Sequence, residues 1–233
     1  MAGTRPKLQF ASVIDAVVFD LDGVLLQSEE VWDSVRERYV RERGGRYDEE
    51  VQRAMMGMSA PEWSRYLHED AGVPAAPEQI DREVVALMLE AYRRELPLLP
   101  GAVEAVRRTA AHFPLGLASS SNREIIAAAL EAAGIAECFS AVVSSEEVAH
   151  GKPAPDVYLE AAQRLDVPPQ RCAAVEDSHA GIRSANAAGM RVVAIPNPSY
   201  PPDEEALAAA AAVIRSLDAL TIDVLRGQNG HDR

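Results

Sequence analysis

Asp20 and Asp22 are separated by a single residue in the stretch Asp20-Leu21-Asp22-Gly23, immediately after the apolar run Ala16-Val17-Val18-Phe19. Two carboxylates so placed at a strand end suit a metal site in which one attacks an electrophile and the other handles a proton. A polar strand end running into a glycine turn has the same pattern, so this stretch alone leaves both readings open. Glu176 and Asp177 form a second acidic pair, closing the run Cys172 to Val175 just before Ser178, a residue able to cap a helix. Between the two pairs lie two weaker signals. Ser119-Ser120-Ser121-Asn122 follows another apolar run and opens a helical stretch, where hydroxyls and free backbone N–H groups can hold an anion; serine and asparagine are also ordinary helix caps. In Gly151-Lys152-Pro153-Ala154-Pro155-Asp156 two prolines restrict the backbone around one lysine, and a fixed ammonium suits a fixed anion, although a solvent-facing loop lysine is the common alternative.

What must position these residues is a sheet. Short apolar runs recur at 16–19, 115–118, 141–143, 172–175 and 192–195, with helical stretches between successive runs. That alternation predicts a parallel sheet covered on both faces, in which ligands bind at the carboxyl ends of the strands. Both acidic pairs then fall on one edge, where their mutual repulsion calls for a cation; oxygen donors alone indicate a hard one, Mg²⁺. One segment breaks the alternation. From Ser28 to about Glu95, helical periodicity runs with almost no strand signal, as in Val31, Val35, Tyr39, Val40 and in Val84, Val85, Met88, Leu89, Tyr92. The expectation is a three-layer α/β core of residues 1–27 and 97–233 with an inserted all-helical unit at 28–96, joined by two crossings whose hinge candidates are Gln27, Ser28 and 96–101. The alanine-rich stretch from Glu204 to Ala212 reads as a helix.

Composition limits the rest. A chain of 233 residues with 48% hydrophobic and 25% charged residues has the makings of a packed core, and its formal charge of −13 disfavours nucleic acid and anionic membrane as partners. Cys138 and Cys172 are too few and too far apart for a disulfide framework or a cysteine-rich zinc site, which makes a reducing, cytoplasmic setting the default. No apolar run reaches the length of a membrane span, and the start carries no export signal. A monomer or weak dimer is expected.

The four motifs, in this order and each at a predicted strand end, resemble those of the haloacid dehalogenase superfamily of phosphotransferases over residues 15 to about 200, and the helical insertion resembles its C1-type cap, as in β-phosphoglucomutase and phosphoglycolate phosphatase relatives. The resemblance implies Mg²⁺-dependent hydrolysis of a small phosphate monoester. It makes Asp20 the nucleophile that becomes an aspartyl-phosphate and Asp22 the acid and base, a residue that dehalogenases of the superfamily lack. Ser119 and Lys152, with Ser120 and Asn122, would hold the phosphoryl group. Mg²⁺ would bind the carboxylates of Asp20 and Asp177 and the backbone carbonyl of Asp22, with Glu176 in contact or just behind. A sugar phosphomutase of the β-phosphoglucomutase kind shares the motifs, but its cap cations are matched here by Trp32, Ala60 and Met88, and Gln27 replaces a frequent acid. A silent binding protein is opposed by the intact motifs, and a serine hydrolase by the lack of a GxSxG elbow. His179 is expected to face solvent or its neighbours, since Mg²⁺ prefers oxygen. Trp32, Met55, Met56, Met58 and Trp63 either pack the inserted helices together or line a substrate cavity.

Overall fold

Alternation of side chains along a strand divides Ala16–Phe19 (β1) between two hydrophobic layers, with Val17 and Phe19 in one and Ala16 and Val18 in the other. The computed structural model describes residues 13–55, 58–198 and 201–228. Its described strands after β1 are Leu115–Ser119 (β2), Phe139–Ser144 (β3), Cys172–Glu176 (β4), Arg191–Ala194 (β5) and Ala212–Val213 (β6), all parallel in the order β3-β2-β1-β4-β5-β6. One layer is covered by Ala102–Ala110 (α5) and Arg123–Ala132 (α6), the other by Asp156–Arg164 (α7), His179–Ala187 (α8) and Glu204–Ala209 (α9), and a final Ile222–Arg226 (α10) returns to the first. This is the expected α/β sheet sandwiched between helices.

Each of the five strands read from the sequence is present, with ends shifted by at most two residues. The sixth was not read. Residues 204 to 212 do not form one helix: α9 stops at Ala209, Ala210 turns extended with ψ 140°, and Ala212 pairs with Val193 at the edge of the sheet. Alanine favours helix only weakly, by a few tenths of a kcal/mol per residue over most others, so a free sheet edge overrides it.

Glu29–Glu42 (α1), Glu49–Met55 (α2), Ala60–Glu69 (α3) and Pro77–Arg94 (α4) lie in the chain between β1 and α5. Helix α1 buries Trp32, Val35, Tyr39 and Val40 at three- and four-residue spacing, and α4 buries Ile80, Val84, Val85, Met88 and Tyr92. Pro77 opens α4, and Ser59 with Glu62 forms a capping box at the start of α3. The two stretches of chain leading into and out of these helices run side by side. Gln27 N donates to Pro97 O at 2.8 Å, Leu99 N to Leu25 O at 2.9 Å, and Leu26 and Leu98 form an antiparallel bridge. Truncating Met88, fully buried on α4, to alanine should cost roughly 2–5 kcal/mol in urea unfolding; a loss under half a kcal/mol would show that α4 is not packed as described.

Candidate active site

Register decides which motifs meet. Phe19 on the central strand pairs with Leu117 on one side and Val175 on the other, so Asp20 lies level with Ala118 and Glu176. The first, second and fourth motifs are thus brought to one edge by adjacent strands, and the loop between β3 and α7 delivers the third. Lys152 Nζ donates to Asp20 Oδ1 at 2.8 Å and to Glu176 Oε1 at 2.6 Å. Tyr158, on α7, donates to the same Glu176 oxygen at 2.7 Å. The other Glu176 oxygen accepts from Asp177 N at 3.0 Å, Ser178 N at 3.3 Å and Ser178 Oγ at 3.2 Å, and Ser178 Oγ accepts in turn from Gly181 N. Glu176 therefore has both oxygens engaged within the protein.

Asp20, Glu176 and Asp177 are buried, and a carboxylate oxygen from each lies within 4.8 Å of the others. With Asp22, four carboxylates share this end of the sheet with the single ammonium of Lys152. Burial pushes the Asp20 carboxyl up to about 8, against the pull of Lys152. Burial, together with the charges of Glu176 and Asp20, raises Asp177 well above the usual carboxylate range. Burial alone would depress Lys152, but Asp20 and Glu176 outweigh it and raise its pKa. An all-oxygen donor set with excess negative charge fits a hard divalent cation. Asp20 and Asp177 could hold it, while Glu176 is already tied to the lysine and the start of α8.

Asp22 faces differently. Its carboxylate accepts from Ser28 Oγ, from Ser119 Oγ at 3.3 Å and from Ser121 Oγ at 2.7 Å, so three hydroxyls fix it beside Asp20 but outside the tight acidic trio. Ser120 lines the cavity. Asn122 Nδ2 donates to Asp81 of α4 at 3.0 Å and to Glu146 at 2.8 Å, which joins the inserted helices to the strand-end loops. His179 pairs with Asp203 at 2.9 Å, in keeping with the expectation that it serves its neighbours.

A cavity of about 590 Å³ lies over these groups, a size suited to a small metabolite. Asp20, Asp22, Lys152 and Asp177 line it from the sheet, and Trp32, Met55, Met58 and Trp63 line it from the inserted helices; Met56 lies outside the described residues. Trp32 and Trp63 also pack together, 6.2 Å between ring centroids, so packing and lining coincide. Sequence reasoning passed over Tyr158, Gly181, Asp81 and Arg36, and read Ser121 only as part of the anion-holding serine stretch, not as a donor to Asp22. Tyr158 reads as an ordinary core position on an amphipathic helix, and the partners of the others are brought close only by the fold.

Two glycines are set by close approach. Gly23 has φ +80°, and a Cβ there would fall on the Asp177 carboxylate; a Cβ at Gly181 would fall on that of Glu176. Gly181→Ala gains about 1 kcal/mol of helix propensity but displaces one partner of a buried ion pair, which costs about 3–5 kcal/mol. It should therefore lower stability in denaturant titration, and an increase would show that Glu176 has room to move.

Residues 14–189 match the family described as haloacid dehalogenase-like hydrolase. The chain is 34% identical over 203 residues to a bifunctional riboflavin kinase/FMN phosphatase of Arabidopsis thaliana, covering 86% of this chain but only 53% of that two-activity protein. It is 35% identical over 209 residues to a probable pseudouridine-5'-phosphatase of Drosophila melanogaster, covering 86% of this chain and 88% of the relative. The crystal structure of CbbY from Rhodobacter sphaeroides in complex with xylulose-1,5-bisphosphate superposes with a TM-score of 0.82 at 28% identity, covering 91% of this chain and 99% of that one. With the four motifs gathered on one sheet edge and these relatives alongside, the chain belongs to the haloacid dehalogenase-like hydrolases and is an enzyme of their phosphatase kind.

Proposed function

We propose that the protein hydrolyses a small phosphate monoester through a phosphorylated Asp20, in a site assisted by Mg²⁺. The observation that carries this reading is the Lys152 ammonium held between Asp20 and Glu176 at the floor of the cavity, with Asp177 and Asp22 on either side. An Asp20 oxygen attacks phosphorus while the bond to the leaving oxygen breaks, and Asp22 gives that oxygen its proton. Water then attacks the same phosphorus, Asp22 takes a proton from it, and the Asp20 carboxylate is released with phosphate. Ser119, Ser120 and Lys152 hold the phosphoryl oxygens, and the lysine offsets the charge of Asp20 as the anionic substrate arrives. Asp20, Asp177 and the Asp22 main-chain carbonyl would hold Mg²⁺, with Glu176 orienting Lys152 behind them. When bound there, the ion would supply positive charge to the phosphoryl oxygens and favour the ionised form of Asp20.

The inserted helices, residues 28–96, are proposed as a cap on a core of residues 1–27 and 97–233, moving about Gln27, Ser28 and 96–101. The paired crossing segments support a two-stranded hinge, and Pro97 and Pro100 restrict where it bends. Asn122, read from the sequence as a phosphate ligand, is assigned to cap closure, because its amide donors are already engaged by Asp81 and Glu146. Among the described residues no helix is long and apolar enough to cross a membrane. Both cysteines are free, in keeping with a cytoplasmic location.

Phosphate release from p-nitrophenyl phosphate should require Mg²⁺ and stop with EDTA. Activity that survives EDTA would refute a metal-assisted site, and isomer formation from a sugar 1-phosphate without phosphate release would identify a mutase. Asp22→Asn should cost roughly 10²-fold or more in kcat on an alkyl phosphate and much less on p-nitrophenyl phosphate, whose leaving group needs no proton. Equal losses would contradict an acid role. Asp177→Asn should raise the Mg²⁺ concentration for half-maximal activity by about tenfold or more, and an unchanged requirement would remove Asp177 from the metal set.

A further inference from the structure

Besides Lys152, two arginines line the cavity: Arg53 of α2, largely exposed and 3.8 Å from Glu49, and Arg36 of α1. Arg36 lines it together with Trp32 and Trp63, and its guanidinium carbon lies 4.6 Å from one indole centroid and 4.9 Å from the other. The Nε of Arg36 is buried and has no hydrogen-bond partner among the described residues. Asp33, three positions earlier on the same helix, accepts from Tyr47 Oη at 2.6 Å; its charge and that of Asp22 reach Arg36, but neither accepts from Nε. An arginine whose partner is a ring face still has its donors at the edge of its plane, where a bidentate oxyanion fits.

Three physical arguments converge on the ligand. The indole surfaces beside Arg36 are engaged by its guanidinium, which disfavours stacking of an aromatic leaving group there. A neutral polyol would give a buried cation only neutral acceptors, worth less than a charged one. The floor already sets four carboxylates against one ammonium, so an anion beyond the reacting phosphoryl group needs positive charge of its own, and Arg36 supplies it.

We propose that Arg36 is a specificity-determining residue that seats a second oxyanion, a carboxylate or a phosphoryl group, on the leaving group of the substrate. This rests on the phosphatase reading above. The substrate class is accordingly a small phosphate monoester with two anionic ends, one over Asp20 and one at Arg36.

Matched pairs test it: 3-phosphoglycerate against glycerol 3-phosphate for a carboxylate, and fructose 1,6-bisphosphate against fructose 6-phosphate for a phosphoryl group. The wild-type protein should favour the doubly anionic member of at least one pair about 10- to 100-fold in kcat/KM, mainly through KM, and the pair that discriminates identifies the oxyanion. Arg36→Gln should abolish that preference, while Arg36→Lys, which keeps the charge but loses the planar fork, should restore part of it. No preference in the wild-type protein, or a preference that Arg36→Gln leaves intact, overturns the proposal. So does an equal fall on all four compounds, which is the signature of a packing role against the two indoles. The same ratios measured as Kd by calorimetry on the Asp20→Asn protein with Mg²⁺ present judge Arg36 without turnover. Absence of turnover on every phosphate ester would therefore defeat the phosphatase reading alone, and the binding ratio would still decide this one.

Discussion

Four carboxylates gathered at the end of one parallel sheet would repel one another, and burial of three of them makes the repulsion costly. Lys152 bridges Asp20 and Glu176, and the architecture around the site serves that contact. The β1–β4 register sets Asp20 beside Glu176, and the loop before α7 brings the ammonium between them. Tyr158 and the residues just before α8, Asp177 and Ser178, donate to Glu176, so that this carboxylate is fixed as a support. Asp20 and Asp177 keep an excess of negative charge that a hard cation would satisfy. Removing Lys152 would leave Asp20 and Glu176 without their counter-charge, and a side chain at Gly181 would push into the Glu176 carboxylate.

The inserted helices meet this edge in two ways. Asn122 joins Asp81 of α4 to Glu146 of the strand-end loops, a polar tie that an open cap would have to give up to water. Elsewhere the inserted segment sets Trp32, Met55, Met58 and Trp63 above the charged floor, beside the polar Asp33, Arg36, Tyr47, Gln52 and Arg53. Arg36 lies within that lining against both indoles. The floor reads only phosphate, so the choice among phosphate esters falls to the inserted segment.

Much of this was legible in the sequence, because the signals are local. Apolar runs of β-branched residues ending in acids or serines mark strands that meet ligands at their carboxyl ends, and five of the six described strands follow from them, with Asp20, Asp22, Ser119, Glu176 and Asp177 as candidates at their ends; Lys152 was read from its proline-flanked loop. Helical periodicity between Ser28 and Glu95 foretold α1 to α4 for the same reason: a 3.6-residue period needs no partner to be seen. What remained open were contacts between residues far apart in the chain. The short strand β6 exists because β5 offers an edge, whereas its alanines alone favour helix. Ser121 and Ser28 converge on Asp22 from two different segments, a contact that neither the serine stretch nor the hinge position announces. Asn122 looked like an anion ligand because its neighbours are serines at a helix start; only the approach of Asp81, 41 residues earlier in the chain, engages its amide in the tie between cap and core. The sequence by itself determined which chemistry is present, since residue types and their spacing within each motif are one-dimensional properties. The tertiary structure alone decided which oxygens are already engaged and that the Arg36 Nε is buried without a hydrogen-bond partner, because burial and hydrogen bonding depend on segments that meet only when the chain is folded.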